Sequence, residues 1–496
     1  MMIYVNNKGI RWKGVYDVEK WLYMYDVRGI QDYIFRTNKV KEIIGASLLV
    51  EDLILSLFMD VTQDLGLNVV DDLSYENELK FSFDSDNDID VEILYYGGGN
   101  LLVLFENGDI GQQVSRKMCI ELVKRTYSLQ LAVAKIKVSG QNHYKEDYQR
   151  LRNEMDSVKA NMPMAIPVTG FPITSNDPQT GFPFSKKDFY HQKVTYETYK
   201  KLEKYNMNRK TGTPGYEHFG EHEGESLIAI VHIDGNNMGQ HIADKMEKVT
   251  SYQDAARVSR QISSHIQHVF SERALKKVES SVDKLCEKAG ISKNAIEMRT
   301  IIHAGDDITF ICHAKIAMAC VRIFMDELEK EGTYHACAGI FVTHAHFPFA
   351  RGYELSEELC SNAKKLSRIH PGNYVDFHIN TTGVLNDIKY IRKKYYRNID
   401  DQPLIARPYY MGKDSVQETK LTSLLNTLNI LKKSHIARSK LKDLRSVFQS
   451  GDILVREQLN GINSRLKDED KVYFDNYRLL FDAIDVMDFN WGDDNE

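Results

Sequence analysis

The feature that most constrains this fold is a pattern of apolar strings and polar turns that occurs twice. In each half an apolar string is predicted to form a strand that ends in an aspartate, Asp26 in the first half and Asp234 in the second. A hairpin-like turn follows, GGGN ending at Asn100 and AGDD ending at Asp307. Asn100 lies 74 positions after Asp26, and Asp307 lies 73 positions after Asp234. Such matched spacing of like elements indicates an internal repeat.

Each half shows the element order βαββαβ, which predicts an α+β chain built from two ferredoxin-like sheets. The alternative is two unrelated α/β domains with similar strand spacing.

Five leucines at helical spacing predict a further, helical domain near the end of the chain: Leu421, Leu424, Leu425, Leu428 and Leu431. The predicted boundaries are 1–160 for the first ferredoxin-like domain, 161–225 for a linker rich in turn-forming residues, 226–405 for the second and 406–496 for the helical domain.

Composition excludes several classes of protein. The chain has 496 residues, of which 42% are hydrophobic and 27% are charged, so it is neither disordered nor collagen-like. The net charge of −6 argues against a broad nucleic-acid-coating surface but not against a local basic pocket. The six cysteines form no CxxC and lie in apolar strings, which indicates a reduced, cytoplasmic protein. Neither a signal peptide nor an apolar stretch of about 18 residues is present, so no membrane span is expected.

Three carboxylates are the candidate catalytic residues: Asp234, Asp306 and Asp307. If the hairpin lies beside the strand that carries Asp234, their oxygens form a site for Mg²⁺ or Mn²⁺. Gly305 permits a tight turn, and the residues after Asp234 lead into a helix whose first amides are predicted to bind phosphate. These residues are Gly235, Asn236 and Asn237. An Asp-Asp pair in a glycine turn is common in ordinary hairpins, but its combination with the strand aspartate favours catalysis.

The first half lacks the aspartate pair, so Asp26 is its only candidate ligand. The turn residues Gly98, Gly99 and Asn100 either let a nucleotide approach closely or simply make a tight hairpin. Lys364 and Lys365, read as following a helix that begins near Arg351, could reach a triphosphate. The alternative for these lysines is a solvated helix face.

Several strings together resemble the polymerase-like large subunit of type III CRISPR effector complexes: YDVRGIQDYIFRTNKVKEIIGASLLVEDL, YYGGGNLLVLF, VHIDGNNMG, HAGDDITF and CAGIFVTHAHFPFARGYELSEELCSNAKK. The resemblance runs from about residue 20 to 450. It implies paired palm domains, ATP as substrate and synthesis of cyclic oligoadenylate messengers. The GGDD turn of that family corresponds to Ala304–Asp307, with Asp234 as the partner carboxylate. It also implies subunits of a CRISPR RNA–protein complex as partners, or target RNA as activator.

The chain also departs from that family. Ala304 replaces the first turn glycine, Arg28 replaces a small residue and would either clash with a nucleotide or clamp it, and the zinc-site cysteines are absent. No His-Asp dipeptide occurs and little sequence precedes the first palm, so neither an HD nuclease domain nor DNA cleavage is expected. These departures suggest a reduced form of the type III CRISPR large subunit, without the HD nuclease domain and the zinc-site cysteines.

Two functions stay open. The favoured one is a metal-dependent nucleotidyltransferase that makes cyclic oligoadenylate-type messengers, and the alternative is a non-catalytic nucleotide- or RNA-binding scaffold. A single-palm diguanylate-cyclase-like enzyme is disfavoured because the GGEEF turn is missing. The sequence leaves open whether the palms of two chains meet in a homo-oligomer.

Overall fold

The fold is described from a computed structural model. The residues that it describes are 2–6, 9–13, 19–51, 53–74, 76–83, 88–97, 99–163, 173–188, 191–209, 227–291, 298–380, 386–412, 419–433, 436–463, 476–489 and 491. The chain divides into two compact units. The first comprises Met1–Arg36, Ile44–Met207 and Gly239–His265, and the second comprises Thr37–Ile43, Asn208–Met238 and Ile266–Glu496.

Strands and helices alternate along most of the chain. In chain order the elements are β1 (Met2–Asn6), β2 (Gly9–Lys13), β3 (Trp21–Arg28), α1 (Ile30–Phe35), α2 (Val40–Val50), α3 (Leu53–Asp64), β4 (Val69–Val70), β5 (Val91–Gly97), β6 (Asn100–Phe105), α4 (Gly108–Thr126), β7 (Gln130–Lys137), α5 (Tyr144–Asn161), β8 (Phe184–Lys187), β9 (Lys193–Thr195), α6 (Tyr196–Arg209), β10 (Leu227–Gly235), α7 (Met238–Met246), α8 (Tyr252–Ile266), a π-helical segment (Gln267–Leu275), α9 (Lys276–Lys288), β11 (Met298–Ala304), β12 (Asp307–His313), α10 (Ala317–Glu331), β13 (Ala336–His344), α11 (Phe349–Ser367), β14 (Tyr374–Ile379), α12 (Ile388–Tyr395), β15 (Tyr409–Tyr410), α13 (Leu421–Lys433), α14 (Arg438–Gln449), α15 (Asp452–Asn463) and α16 (Tyr477–Val486).

The first unit contains a five-stranded sheet in the order β4-β5-β6-β3-β7. Strands β5, β6, β3 and β7 pair antiparallel, and β4 adds a short parallel edge. One face of the sheet is covered by α5 and α8, whose side chains share a core with Leu22 and Leu102, among them Leu151 and Tyr252. This strand order confirms the ferredoxin-like sheet predicted for the first half.

The second unit repeats the arrangement. Its sheet has the order β11-β12-β10-β13-β14-β15, in which the first four strands follow the same ferredoxin-like order. Strand β14 pairs parallel to β13, and β15 pairs antiparallel to β14 beyond the predicted boundary at residue 405. Strands β10 and β13 are buried along nearly their whole length, which explains their continuous rather than alternating apolar sequence.

The predicted C-terminal helices are present as α13 to α16. The five leucines that predicted the first of them are all buried in α13. A buried ion-pair network holds α16 against the sheet of the second unit. The fully buried guanidinium of Arg407 lies 2.7 Å from Asp485 and 3.1 Å from Asp482, and donates to the carbonyl oxygen of Phe377 in β14 at 3.0 Å. The predicted α+β fold with a helical C-terminal region is therefore confirmed.

Two local expectations need correction. Strand β3 does not end at Asp26 but continues to Arg28, because its pairing with β7 extends to Gln130. Lys364 and Lys365 do not follow a helix but lie in the last turn of α11. The domain boundaries stay predictions, and part of the predicted linker lies outside the described residues. No helix in the described part of the chain is long and apolar enough to span a membrane.

Candidate functional site

The register of the second sheet brings two of the predicted carboxylates together. Strands β10 and β12 are antiparallel, with Ile233 opposite Ile308. Asp234 follows Ile233, and Asp307 precedes Ile308. Because the strands run in opposite directions, the same register sets Asp234 opposite Asp307. The Cβ atoms of directly opposed residues lie about 4.5–5.5 Å apart. The turn between β11 and β12 consists of Gly305 and Asp306, so Asp306 immediately precedes Asp307, the first residue of β12.

Two glycines permit this approach. Gly305 has a φ of +68°, a left-handed conformation that favours glycine and closes the turn. A Cβ atom on Gly235 would lie 2.7 Å from Asp306 Oδ2 and 2.7 Å from Met238 Cγ, so the carboxylate packs directly on the strand backbone. Ala304, by contrast, is the last residue of β11 and is not among the described residues with a positive φ. The alanine that replaces the family's first turn glycine therefore introduces no strain.

Crowding of negative charge perturbs the site. Burial, together with the charges of Asp234 and Asp306, raises the pKa of Asp307 to about 7. Burial and the charge of Asp234 also raise the pKa of Asp306. Asp307 Oδ1 is buried without a hydrogen bond, and the nearest described histidine nitrogen, Nδ1 of His232, lies 3.5 Å away. Because burial lowers the pKa of His232 to about 4, its ring is neutral at pH 7 and does not neutralise the cluster.

Helix α11 contributes one cation and one further carboxylate. The Lys364 ammonium forms an ion pair with Asp234 and donates to the carbonyl oxygen of Gly235 at 3.0 Å. Glu357 lies two helical turns earlier on the same face, and burial together with the charge of Asp234 raises its pKa. Sequence reasoning missed Glu357, although its spacing of seven residues from Lys364 was a usable signal.

The remaining predicted residues of this half are not gathered at the carboxylates. The Asn236 side-chain amide donates to Ser367 Oγ at 2.8 Å and to the carbonyl oxygen of Gly372 at 3.0 Å. Asn237 is exposed and has a positive φ of 55°. Lys365 donates to Asn362 Oδ1 and lines a cavity beside α12. Its side chain leaves the helix in another direction than that of Lys364, because successive helix residues point about 100° apart.

The first sheet carries the counterpart of this arrangement without the second carboxylate. Asp26 is opposite Asn100, as Asp234 is opposite Asp307. The Lys159 ammonium forms an ion pair with Asp26 from α5, the helix that follows the fourth strand of this repeat as α11 follows that of the other. Arg28 donates to the carbonyl oxygen of Lys159 at 2.9 Å and so holds the end of α5.

The turn of this sheet is only partly described. Gly99 has a positive φ of 78°, and Gly98 lies outside the described residues. Lys159 was not predicted, and the internal repeat was the signal that could have found it. The two repeats thus share a strand aspartate neutralised by a helix lysine, but only the second adds the aspartate pair.

The second-repeat carboxylates fit a divalent cation by their chemistry. They are hard oxygen donors, and one of their buried oxygens lacks a hydrogen bond. A bound cation would offset the burial and the like-charge repulsion that raise the pKa values of Asp306 and Asp307. Across the described ranges, however, no three His, Cys, Asp or Glu side chains are grouped closely enough to hold a metal ion.

Comparison with known proteins agrees with this geometry. Residues 227–369 match the family model of the Cas10/Cmr2 second palm domain. The crystal structure of a Csm1–Csm4 cassette in complex with pppApApA matches with a TM-score of 0.54 and 12% identity, over 94% of this chain and 69% of that one. Csm1 from T. onnurineus matches with a TM-score of 0.53 and 13% identity, over 94% of this chain and 70% of that one. An apo Csm1–Csm4 cassette matches with a TM-score of 0.50 and 13% identity, over 95% and 70% of the two chains.

These structural similarities show the fold, and no curated protein sequence matches the chain. The predicted resemblance to the type III CRISPR large subunit is confirmed by the family model and the shared fold. The reduced form of that subunit stays a prediction.

Proposed function

From the match of residues 227–369 to the Cas10/Cmr2 second palm domain, we propose that this chain is a nucleotidyltransferase that joins ATP into cyclic oligoadenylates. The observation that carries the proposal is the facing pair Asp234 and Asp307, with Asp306 packed against the same strand end. Burial and like charge raise the pKa values of Asp306 and Asp307, and carboxylates perturbed in this way cluster at functional sites. One similar structure, the Csm1–Csm4 cassette, was solved with pppApApA, which is a linear product of the proposed kind.

Asp234, Asp306 and Asp307 are the residues that would hold Mg²⁺ or Mn²⁺. Such ions, when bound, neutralise the triphosphate and activate the attacking hydroxyl. Gly235 lets the Asp306 carboxylate lie against the strand end, which orients it toward the site. We propose that the Lys364 ammonium, which pairs with Asp234 in the chain alone, contacts the triphosphate. The turn from Gly235 to Asn237 is proposed to present backbone N–H groups to phosphate oxygens.

The proposed reaction is an exchange of phosphoryl bonds. A ribose hydroxyl oxygen of one ATP forms a bond to the α-phosphorus of another, its proton leaves, and the bond from the α-phosphorus to the bridging oxygen breaks. Pyrophosphate departs with that electron pair. No protein nucleophile is needed, so the rate depends on positioning and charge neutralisation.

A second candidate function is a non-catalytic, nucleotide- or RNA-binding subunit of a CRISPR ribonucleoprotein. It is favoured by the Lys364 ion pair on Asp234 and by the matching Lys159 ion pair on Asp26, since both occupy carboxylates that would otherwise bind cations. In either case we propose a Csm4-like subunit as a partner, because similar chains were solved in Csm1–Csm4 cassettes.

The test is incubation of the purified chain with each nucleoside triphosphate and Mg²⁺ or Mn²⁺, with products identified by mass spectrometry. The catalytic variant is Asp306→Ala plus Asp307→Ala. The matched control is Asp71→Ala plus Asp72→Ala, an adjacent aspartate pair in the loop after β4 of the first unit. We expect an oligoadenylate from the wild type and the control, and none from the catalytic variant.

Two outcomes would contradict the proposal. Product formation by the catalytic variant at the wild-type rate would remove the aspartate pair from the mechanism. ATP binding without product, under every metal and with added RNA and partner subunits, would establish the scaffold function instead.

A further inference from the structure

The π-helical segment Gln267–Leu275 is an irregular element of the second unit that the proposed reaction does not use. π-Helical turns, in which each N–H bonds five residues back, are rare and occur frequently at functional sites. Phe270 and Ser271 are both buried although they are adjacent. Phe270 packs on Tyr334 with ring centroids 5.8 Å apart, and Ser271 Oγ forms a hydrogen bond with Nε2 of His303 in β11. The segment therefore contacts the strand that leads into the aspartate turn.

A β-bulge in β11 determines that His303 faces this segment. The register of β11 against β12 shifts between Thr300 and Ile302, which leaves one extra residue in β11. His303 consequently lies opposite Ile308. Without the extra residue, the count along the two strands would set His303 opposite Asp307, on the other face of the sheet. The bulge and the π-helical segment thus meet in one hydrogen bond.

The first unit, taken by itself, has a bulge at the same place in its repeat. The register of β5 against β6 shifts between Ile93 and Tyr95. Ile93 lies four positions before the end of β5, as Thr300 lies four positions before the end of β11. In this unit Arg260 of α8 donates to the carbonyl oxygen of Ile93 at 2.7 Å and to that of Leu94 at 3.2 Å. A helix side chain holds the bulged strand in each repeat, which indicates a feature of the repeat.

Asp306 lies on the sheet face that the π-helical segment contacts. Asp234 forms an ion pair with Lys364 and therefore faces α11, so the next residue, Gly235, faces the opposite side of the sheet. A Cβ atom on Gly235 would lie 2.7 Å from Asp306 Oδ2, which places that carboxylate on the opposite side as well. His303 faces the same side, because strand residues alternate and the residue across from it follows Asp307.

Two further contacts bring this region of the second unit to the turn itself. Ile266 directly precedes the segment, and its Cγ2 would lie 3.9 Å from a Cβ atom on Gly305. Burial, the charge of Glu331 and the charge of Asp306 raise the pKa of Tyr334, the residue on which the segment packs. The surroundings of the segment therefore include both residues of the turn.

We propose that Ser271 and His303 are positioning residues for the aspartate turn, and that their hydrogen bond holds Asp306 in the orientation that binds a divalent cation. Ser271 is only 5% exposed, so a substrate does not reach its hydroxyl, and a role as a nucleophile is excluded. The bond instead ties β11 to a buried helix three residues before Asp306. Loss of a partner that orients a metal ligand typically lowers metal affinity about 10–100-fold. This inference rests on the proposed metal site.

The first test is titration of the full chain with Mn²⁺, without nucleotide, with the free ion measured by electron paramagnetic resonance. Ser271→Ala and His303→Ala should each raise the Kd for Mn²⁺ about tenfold. The double variant should also raise it about tenfold rather than a hundredfold, because both substitutions remove the same bond. His303→Gln has an amide nitrogen that can replace Nε2, so its Kd should stay within about threefold of the wild-type value.

The second test measures the positioning without any metal. In EDTA, the backbone N–H groups of Gly305, Asp306 and Asp307 should exchange with deuterium about five- to tenfold faster in Ser271→Ala and in His303→Ala than in the wild type. The reason is that one hydrogen bond fewer opposes local opening of the strand end. Both tests are made well below the melting temperature of each variant, so that lost folding does not imitate lost binding.

The matched control is His268→Ala. His268 lies in the same π-helical segment, and its Nδ1 is 3.1 Å from Glu272 Oε2. Both of these side chains are about half exposed, and their bond lies within the segment rather than between the segment and β11. The control should bind Mn²⁺ and exchange its turn amides as the wild type does.

The inference would be overturned if Ser271→Ala and His303→Ala bound Mn²⁺ as tightly as the wild type, if the control lost as much affinity, or if the effects added in the double variant. A wild type that binds no Mn²⁺, or that binds it no better than Asp306→Ala plus Asp307→Ala, would contradict the proposed function instead. In that case the exchange test decides about the positioning, because faster exchange of the turn supports it and unchanged exchange overturns it.

Discussion

Replacing Asp307 with asparagine should make the metal-free protein more stable at pH 8 while removing its proposed activity. The pKa of Asp307 is raised from 3.8 to about 7, chiefly by burial and then by Asp234 and Asp306. Between pH 4 and 7 the folded chain therefore holds a proton that the unfolded chain has released. Stability falls as pH rises through this range, and the loss is complete above pH 7.

The size of the effect follows from the two pKa values. They differ by about three pH units, and each unit corresponds to 1.36 kcal/mol, so ionised Asp307 costs up to about 4 kcal/mol at pH 8. Asparagine has nearly the same shape and no charge. We therefore expect the melting temperature of Asp307→Asn to exceed that of the wild type by about 5–10 °C at pH 8, and to match it at pH 4.

The assay is thermal unfolding in EDTA from pH 4 to pH 8.5. Asp283→Asn, an exposed aspartate on α9, serves as the control and should leave the curve unchanged. Excess Mg²⁺ should stabilise the wild type at pH 8 more than it stabilises Asp307→Asn. A destabilised Asp307→Asn at pH 8 would refute the reasoning, because it would mean that the carboxylate is held by favourable contacts rather than crowded by like charge.

Two further predictions concern packing. Gly235→Ala should lower the proposed activity strongly and destabilise the chain by about 1–3 kcal/mol in urea unfolding. The reason is that the added Cβ would lie 2.7 Å from Asp306 Oδ2. Unchanged kinetics would show that Asp306 need not pack on the strand. Arg407→Met should destabilise by about 3–5 kcal/mol, since it leaves Asp482 buried with less compensation. The same substitution at Arg438, a 68% exposed cation near Asp488, should cost less than about 1 kcal/mol. Similar losses for both arginine variants would contradict a special role for the buried network.

The relation between Lys364 and Lys365 illustrates where sequence reasoning stops. Both were predicted to reach a nucleotide, but only Lys364 contacts a site aspartate, whereas Lys365 lines the cavity beside α12. The two side chains leave the helix in different directions, and which direction meets the sheet depends on how α11 packs. Nothing in the local sequence specifies that rotation.

Lys159 and Glu357 illustrate the opposite case. Both lay within reach of sequence reasoning, Lys159 through the internal repeat and Glu357 through its helical spacing from Lys364. Neither stands out as a residue type, because exposed lysines and glutamates are common on helices. Their significance appears only when the strand aspartates that they face are known.

The sequence by itself determined the duplication, the ferredoxin-like element order and the aspartates of the second turn. Apolar periodicity and turn residues are properties of short segments, and the matched spacing extends them to the whole repeat. Only the tertiary structure decided that Asp307 faces Asp234 in a crowded, partly buried site, and that lysines 133 and 130 positions away neutralise Asp26 and Asp234. Burial and charge at a site are summed over residues distant in the chain, and local patterns do not contain that sum.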